Sequence, residues 1–152
     1  MLTIREDDLS GDAVRALLAL HLAGMHATSP PEHVFALDLT GLRAPGVTVW
    51  TAWEGAALAG IGALKALGGG AGEVKSMRTD PKHLRKGVAA ALLEHLIAEA
   101  RARGFSRLSL ETGRGPIFEP ALALYRKRGF VDGEPFADYG RSDYSLYLHL
   151  AL

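Results

Sequence analysis

The chain has 152 residues, of which 48% are apolar and 22% are charged, as is typical of a single globular domain. Its 17 basic and 17 acidic residues cancel, which excludes a general electrostatic attraction to nucleic acid or to an anionic membrane. The absence of cysteine excludes disulfides, thiolate metal ligands and a cysteine nucleophile.

The start of the chain and the length of its apolar runs favour a cytoplasmic protein. MLTIREDDLSGD is interrupted by charges, unlike the apolar region of a secretory signal. No run approaches the ~20 apolar residues that cross a bilayer. We therefore expect one domain over residues 1–152, with no membrane partner.

The first third of the sequence predicts a strand and two helices. Alternation over residues 2–5 indicates the strand, and Ser10 is expected to cap a helix that ends near Gly24. Ser29 and the prolines after it signal a second short helix over residues 32–39, which Gly41 ends.

The remainder predicts strands and helices in alternation. The runs VTVWTAWEG, ALAGIGALKAL and GEVKSMRT, separated by glycine turns, indicate an antiparallel meander. Apolar residues at helical spacing from Val88 to Ala100 predict a long helix, and RLSLETG predicts a strand. Residues 117–128 predict a helix with Ile117 facing inward, and DYSLYLHLAL predicts the last strand.

The resulting order, β-α-α-β-β-β-α-β-α-β, defines an α/β (α+β) fold. The third meander strand, the long helix and RLSLETG form a βαβ unit, which makes those two strands parallel. We expect a mixed, mostly antiparallel sheet with helices on both faces.

A basic segment, DPKHLRKG, leads into the long helix and indicates an anion site. A helix start offers free amide groups and partial positive charge, and Gly87 lets an anion approach them. The alternative is a capped helix with a solvated basic turn, but basic residues are unfavourable at this end of a helix. The expected ligand is therefore a phosphate or pyrophosphate group. The segment lacks the Walker A pattern, which disfavours a nucleotide triphosphate.

Two motifs resemble those of the GNAT superfamily of N-acetyltransferases. MRTDPKHLRKGVAAALL is similar to its acetyl-CoA loop, and ALALYRKRGF to its L-Y-x-x-x-G-F helix end. The element order matches that fold over nearly the whole chain, and HATSPPE and LETG resemble a bacterial subgroup. The match has two departures, since Leu84 stands where Arg or Gln is usual and Phe118 where asparagine is frequent.

The resemblance implies that acetyl-CoA is the co-substrate. The amides around Gly87 would hold the pyrophosphate, and the backbone of the preceding strand would pair with the pantetheine arm. Tyr125 would protonate the departing thiolate, and the Met77 N–H would polarise the acetyl carbonyl. The implied cofactor-binding residues are Met77, Arg78, Thr79, Leu84, Arg85, Lys86, Gly87, Val88, Ala89 and Tyr125.

Acetyl transfer to an amine also needs a proton acceptor, a bound water or a carboxylate. Glu73 and Glu111 are the candidates, and Glu111 is favoured because it ends a parallel strand, where ligands bind in such folds. Each also fits an ordinary polar residue of an exposed strand, and Tyr125 also fits a core position of its helix.

The acceptor is expected to bind the polar segment between the first two helices. Its candidate residues are His26, Ser29, Glu32, His33 and Arg43, for which surface solvation is the alternative. His21, His26 and His33 could in principle hold a metal, but no carboxylate or second ligand pair has recognised spacing, so no metal is expected.

The sequence thus predicts an enzyme that transfers acetyl from acetyl-CoA to a primary amine of a small molecule or peptide. With no cysteine to carry the acyl group, we expect direct attack in a ternary complex. The alternatives are a coenzyme A binding or sensing module without catalysis, and a nucleic-acid binder, which neutral charge disfavours. Dimers are common in such families, so a homodimer is an open alternative.

Overall fold

The computed structural model describes residues 1–31 and 34–152, which form a seven-stranded sheet and four helices. The strands lie in the spatial order β1-β2-β3-β4-β5-β7-β6. In chain order the elements are β1 (Leu2–Glu6), α1 (Asp12–Thr28), α2 (Leu39–Leu42), β2 (Val47–Glu54), β3 (Ala57–Gly68), β4 (Ala71–Thr79), α3 (Val88–Ala102), β5 (Arg107–Gly113), α4 (Glu119–Lys127), β6 (Val131–Asp132) and β7 (Ser145–Ala151).

The sheet is mixed, with one parallel pair. β4 and β5 run parallel and are joined through α3, whereas the other neighbouring strands pair antiparallel. The expected βαβ unit and the mostly antiparallel sheet are confirmed.

Helices cover both faces of the sheet. On one face α3 buries Leu92, Leu93 and Leu96 completely, in a cluster that also holds Leu122 of α4. α1 packs on the other face, where Leu17 and its neighbours contact the central strand β3. Glycines of β3 let α3 approach closely, since a Cβ at position 60 would lie 2.7 Å from Val88 Cγ1.

The first helix is longer than the sequence predicted, and its cap is different. α1 continues through Gly24 to Thr28, so the predicted end near Gly24 was wrong. Gly11 is the N-cap residue, because the Ser10 hydroxyl bonds to Asp8 Oδ1 at 2.6 Å instead.

The second helix is shorter and begins later than predicted. Of the expected span 32–39, residues 32 and 33 lie outside the described part, and residues 34–38 form no regular element. α2 begins only at Leu39, where the Asp38 carboxylate accepts a hydrogen bond from the Gly41 amide at 2.8 Å. Gly41 therefore lies inside this helix.

The segment before α4 and the end of the chain also differ. Ile117 belongs to a 3-10 turn, Pro116–Phe118, and its side chain is 65% exposed, so the prediction that it faces inward was wrong. The two-residue strand β6 has too short a pattern to be predicted. In the described part of the chain, helices long and apolar enough to span a bilayer are absent.

Candidate active site

A wedge-shaped cleft opens where β4 and β5 separate. Their ladder joins residues 71–73 to residues 107–109 and then stops. β4 continues to Thr79 and β5 to Gly113, while β5 stays paired with β7 along its whole length. The cleft therefore lies at the carboxyl ends of two parallel strands, where open α/β sheets bind ligands.

The cleft has a volume of 330 Å³ and is lined from both faces of the sheet. α1 contributes residues on one side, and α4 with the turn before it contributes residues on the other. The lining consists of residues 73–78 of β4, residues 110–113 of β5, His21, Gly24, Met25, Thr28, Phe35, Ala36, Ile117, Phe118, Ala121 and Tyr125.

A β-bulge bends β4 beside the cleft. Ile61 pairs with Arg78 and Ala63 with Lys75, so Gly62 alone faces the two residues Ser76 and Met77. Ser76 adopts a left-handed conformation, with φ of 56°. Such a bulge interrupts the ladder locally and redirects the side chains that follow it.

The loop between β4 and α3 has the backbone of an anion site. Arg85 and Gly87 both have positive φ, 63° and 79°, and Gly87 is the N-cap of α3. Because this residue has no side chain to cap the helix, the first amides of α3 have no side-chain acceptor within residues 1–31 and 34–152. These amides, from Val88 onward, suit a phosphate or pyrophosphate group.

The side chains of this loop contribute less to such a site than its backbone does. Leu84 is 58% exposed and contributes no polar group. Lys86 lies 3.8 Å from Glu54, with both side chains about half exposed, and Val88 is buried in the core. Ala89 is half-buried in the first turn of α3, and Thr79 ends β4 just before the loop.

Glu73 and Lys75 form a buried ion pair at the base of the cleft. Lys75 Nζ lies 3.4 Å from Glu73 Oε2, and the two residues are 9% and 2% exposed. Tyr139 donates to the same carboxylate oxygen at 2.5 Å, and Lys75 donates to the Tyr139 oxygen at 2.9 Å and to the Phe35 carbonyl at 3.0 Å. Burial, followed by the charge of Glu73, raises the pKa of Tyr139 far above its ordinary value.

Glu111 lies on the β5 wall of the cleft, and Tyr125 lies on the α4 wall. Burial raises the pKa of Glu111 to about 7, against the opposing effects of the Ser145 hydroxyl and then of the Lys75 charge. Burial and then the charge of Glu111 raise the pKa of Tyr125 to about 12. At neutral pH the phenol is therefore protonated, while the carboxyl exchanges a proton readily, as an acid and a base for catalysis require.

The α1 side of the cleft carries a different set of polar groups. His21 is buried, and burial followed by the charge of Arg78 lowers its pKa to about 4, so it is neutral at physiological pH. Ser29 is buried and hydrogen-bonds to the Tyr144 hydroxyl, which ties the end of α1 to the segment before β7. Phe118 packs edge-on against the Tyr144 ring, with centroids 6.4 Å apart.

The structure brings together only some of the predicted site residues. Glu73, Met77, Arg78, Glu111 and Tyr125 line the cleft. His26 is exposed on the last turn of α1 and does not line it, and Glu32 and His33 lie outside the described residues. Arg43 donates to the Leu9 carbonyl at 3.3 Å, in a separate depression formed by the β1–α1 and α2–β2 connections. Within the described ranges no group of metal-ligating side chains is assembled.

Sequence reasoning missed Lys75 and Tyr139. The available signal was the pair of opposite charges at positions 73 and 75 of a strand otherwise destined for the sheet centre, where charges persist only when paired. Tyr139 lies in an irregular segment 64 residues further on, which offered no comparable signal.

Comparison with known proteins identifies the class of protein. Residues 14–130 match the acetyltransferase (GNAT) family. The chain belongs to this family, whose members transfer acyl groups from acyl-CoA.

Relatives and solved structures agree with this assignment. The chain is 53% identical over 152 residues to the uncharacterised N-acetyltransferase YedL of Escherichia coli, covering 100% of this chain and 96% of the relative. It is 54% identical to YsnE of Bacillus subtilis, covering 95% and 96%. It is also 38% identical over 125 residues to a protein of Azospirillum brasilense named IAA acetyltransferase, covering 81% of this chain and 80% of that one.

Two crystal structures have the same fold along the whole chain. A proposed acyl-CoA N-acyltransferase from Klebsiella pneumoniae has a TM-score of 0.81 at 27% identity, with 100% and 98% of the two chains covered. A Bacillus subtilis acetyltransferase in complex with CoA has a TM-score of 0.75 at 22% identity, with 100% and 99% covered.

Proposed function

We propose that this chain acts as one cytoplasmic acetyltransferase domain that moves acetyl from acetyl-CoA to a primary amine of a small molecule or peptide, by direct attack in a ternary complex. The observation that carries this proposal is the cleft between β4 and β5. It holds Glu111 and Tyr125 on its two walls, and the uncapped start of α3 follows β4 directly.

Two segments of the chain bind different parts of acetyl-CoA in this proposal, the start of α3 and the end of β4. Amides at Gly87, Val88 and Ala89 bind the pyrophosphate, helped by the left-handed turn at Arg85. The backbone of β4 from Met77 to Thr79 pairs with the pantetheine arm along the edge that β5 leaves free. The conformations of Arg85 and Gly87 support this role, because both have positive φ immediately before the start of α3.

Acetyl-CoA supplies the thioester, whose C–S bond breaks as the amine nitrogen forms the new C–N bond. Glu111 accepts the proton that the nitrogen loses, directly or through one water. Glu73 is less suited to this role because its Oε2 already accepts a hydrogen bond from Tyr139 and forms an ion pair with Lys75. Tyr125 donates its phenolic proton to the thiolate, and the Met77 amide stabilises the developing oxyanion.

Tyr125→Phe tests the catalytic assignment, with thiol release from acetyl-CoA measured across a panel of amines. The substitution keeps the ring in the core and removes only the hydroxyl. We expect kcat to fall by about 10²- to 10⁴-fold while the acetyl-CoA Kd stays within about threefold. Tyr147→Phe is the matched control, because its hydroxyl donates to the Gly140 carbonyl at 2.6 Å and does not line the cleft.

Two results would redirect the proposal. Equal turnover in the Tyr125→Phe variant would remove Tyr125 from the chemistry. Tight acetyl-CoA binding without thiol release for any amine would favour a coenzyme A sensing module in place of an enzyme.

A further inference from the structure

The cleft contains two cationic side chains, Lys75 and Arg78, which differ in their hydrogen-bond and ion-pair partners. Lys75 has acceptors for its three ammonium hydrogens in Glu73, Tyr139 and the Phe35 carbonyl. Arg78 lines the same cleft, yet no residue within 1–31 and 34–152 forms a hydrogen bond or ion pair with its guanidinium. A half-buried guanidinium with no anion among the described residues is unfavourable, and a ligand that supplies one would stabilise it.

The Arg78 side chain lies on the α1 face of the sheet. A Cβ at Gly24 of α1 would be 3.2 Å from Arg78 Nη2, so the glycine makes room for the guanidinium. Its charge also lowers the pKa of His21, after the larger effect of burial, so that His21 is uncharged at neutral pH. Met77 points the other way, because its sulfur lies near Gly62, beside Leu92 and Leu96 of α3.

We propose that Arg78 binds a carboxylate of the acceptor, so that the acceptor is an amine bearing a free carboxylate, of the amino-acid class. This inference rests on the proposed acetyl transfer. Guanidinium and carboxylate match in a bidentate, charge-assisted pair. Among the described residues of this wall Arg78 is a cation without an ion pair, which fits one negative charge on the ligand. Met25, Phe35 and Ala36, which line the same cleft, favour an apolar side chain on it.

The coenzyme's phosphates are the other anions that could reach Arg78. The uncapped amides of α3 serve them, and α3 packs on the face of the sheet opposite α1. The backbone of Arg78 can therefore accompany the pantetheine arm while its side chain serves the acceptor. The test separates the two anions by measuring the KM of each substrate independently.

The experiment uses phenylalanine, leucine and methionine, each compared with its carboxamide, in the thiol-release assay. The carboxamide keeps the amine and side chain and removes the negative charge. We expect the wild-type protein to prefer the acid by about 10- to 100-fold in kcat/KM, which corresponds to the loss of a charge-assisted pair.

Arg78→Gln should abolish this preference, so that the acid and the carboxamide become equivalent within about threefold. The KM for acetyl-CoA should not change. Arg78→Lys should restore part of the preference, since the charge returns without the bidentate geometry. Arg114→Gln is the matched control, an exposed arginine just beyond β5 that does not line the cleft, and it should behave as wild type.

Either of two results would overturn the inference. A preference unchanged in Arg78→Gln would place the carboxylate elsewhere, and a raised KM for acetyl-CoA alone would assign Arg78 to the cofactor. Should no amine turn over, the proposed function fails separately, and calorimetry still decides the inference. N-acetylphenylalanine should then bind wild type in the presence of coenzyme A at least about tenfold more tightly than Arg78→Gln, and equal affinities would refute it.

Discussion

Replacing Glu111 by glutamine separates the chemistry of this side chain from its effect on stability. Burial raises the pKa of Glu111 from the ordinary value of 4.5 to about 7. The folded protein therefore binds more protons than the unfolded chain between these values, and the free energy of unfolding falls as the pH rises through this window. At 1.36 kcal/mol per pKa unit, this rise in pKa corresponds to about 3 kcal/mol of the free energy of unfolding. That stability is present at low pH and is lost in full above pH 7.

Glutamine has the shape of the protonated carboxyl and does not ionise. We expect the Glu111→Gln variant to be more stable than wild type by about 1 kcal/mol at pH 5 and about 3 kcal/mol at pH 8. The higher value corresponds to roughly 6 to 12 °C in Tm for a chain of this length. Turnover should fall by about 10²- to 10⁴-fold, and the rise of wild-type kcat/KM around pH 7 should disappear.

The assay is thermal and urea unfolding of both proteins from pH 5 to 8.5, alongside thiol release. Glu6→Gln, on the exposed face of edge strand β1, serves as the surface control and should match wild type in stability and turnover. A stability difference between the two proteins that does not grow with pH would refute the conclusion that burial raises the pKa of Glu111. A stabilised variant with wild-type turnover would show that another group, or water alone, accepts the proton.

Two further predictions concern the cofactor loop and the buried ion pair. Gly87→Ala places a Cβ at a residue with φ of 79°, which should lower the free energy of unfolding by about 1 kcal/mol and weaken acetyl-CoA binding at least about tenfold by calorimetry. Arg85→Gly removes the strain of a side chain at φ of 63° and should raise the free energy of unfolding by up to about 1 kcal/mol. Equal effects of the two changes would contradict the backbone assignment. Lys75→Met leaves the Glu73 carboxylate buried without a cation and should lower the free energy of unfolding in urea by about 3 to 5 kcal/mol, most of which the double variant with Glu73→Leu recovers. A double variant no more stable than the single one would argue against the ion pair as the cause.

Much of the fold could be predicted because its signals are local. The helical spacing from Val88 to Ala100 and the alternation of RLSLETG both come from side chains that face one packed layer. The parallel pairing of β4 and β5 then follows from the connection between them. Where two strands diverge is not a local property, so the cleft itself could not be located in this way.

The segment between α1 and α2 shows why the rest could not be predicted. The prolines after Ser29 are a helix signal, yet residues 34–38 stay irregular, and the Phe35 carbonyl accepts a hydrogen bond from Lys75. Lys75 lies 40 residues away in sequence, and Tyr139 joins it from a further 64 residues on. Tertiary contacts of this range override a local helix preference and leave no periodic trace.

The bulge at Ser76 has the largest consequence for the site. In a regular strand, side chains alternate between faces, so Lys75 and Arg78, three residues apart, would lie on opposite sides of the sheet. The extra residue shifts the alternation, so that Lys75 contacts Phe35 and Arg78 contacts α1 on the same side, while Met77 faces α3. Two cations thereby reach the α1 side of the cleft: Lys75, which Glu73 neutralises, and Arg78, which has no ion-pair partner among the described residues. A left-handed serine costs of order 1–3 kcal/mol, and such strain persists where the surrounding structure enforces it, most often at functional sites.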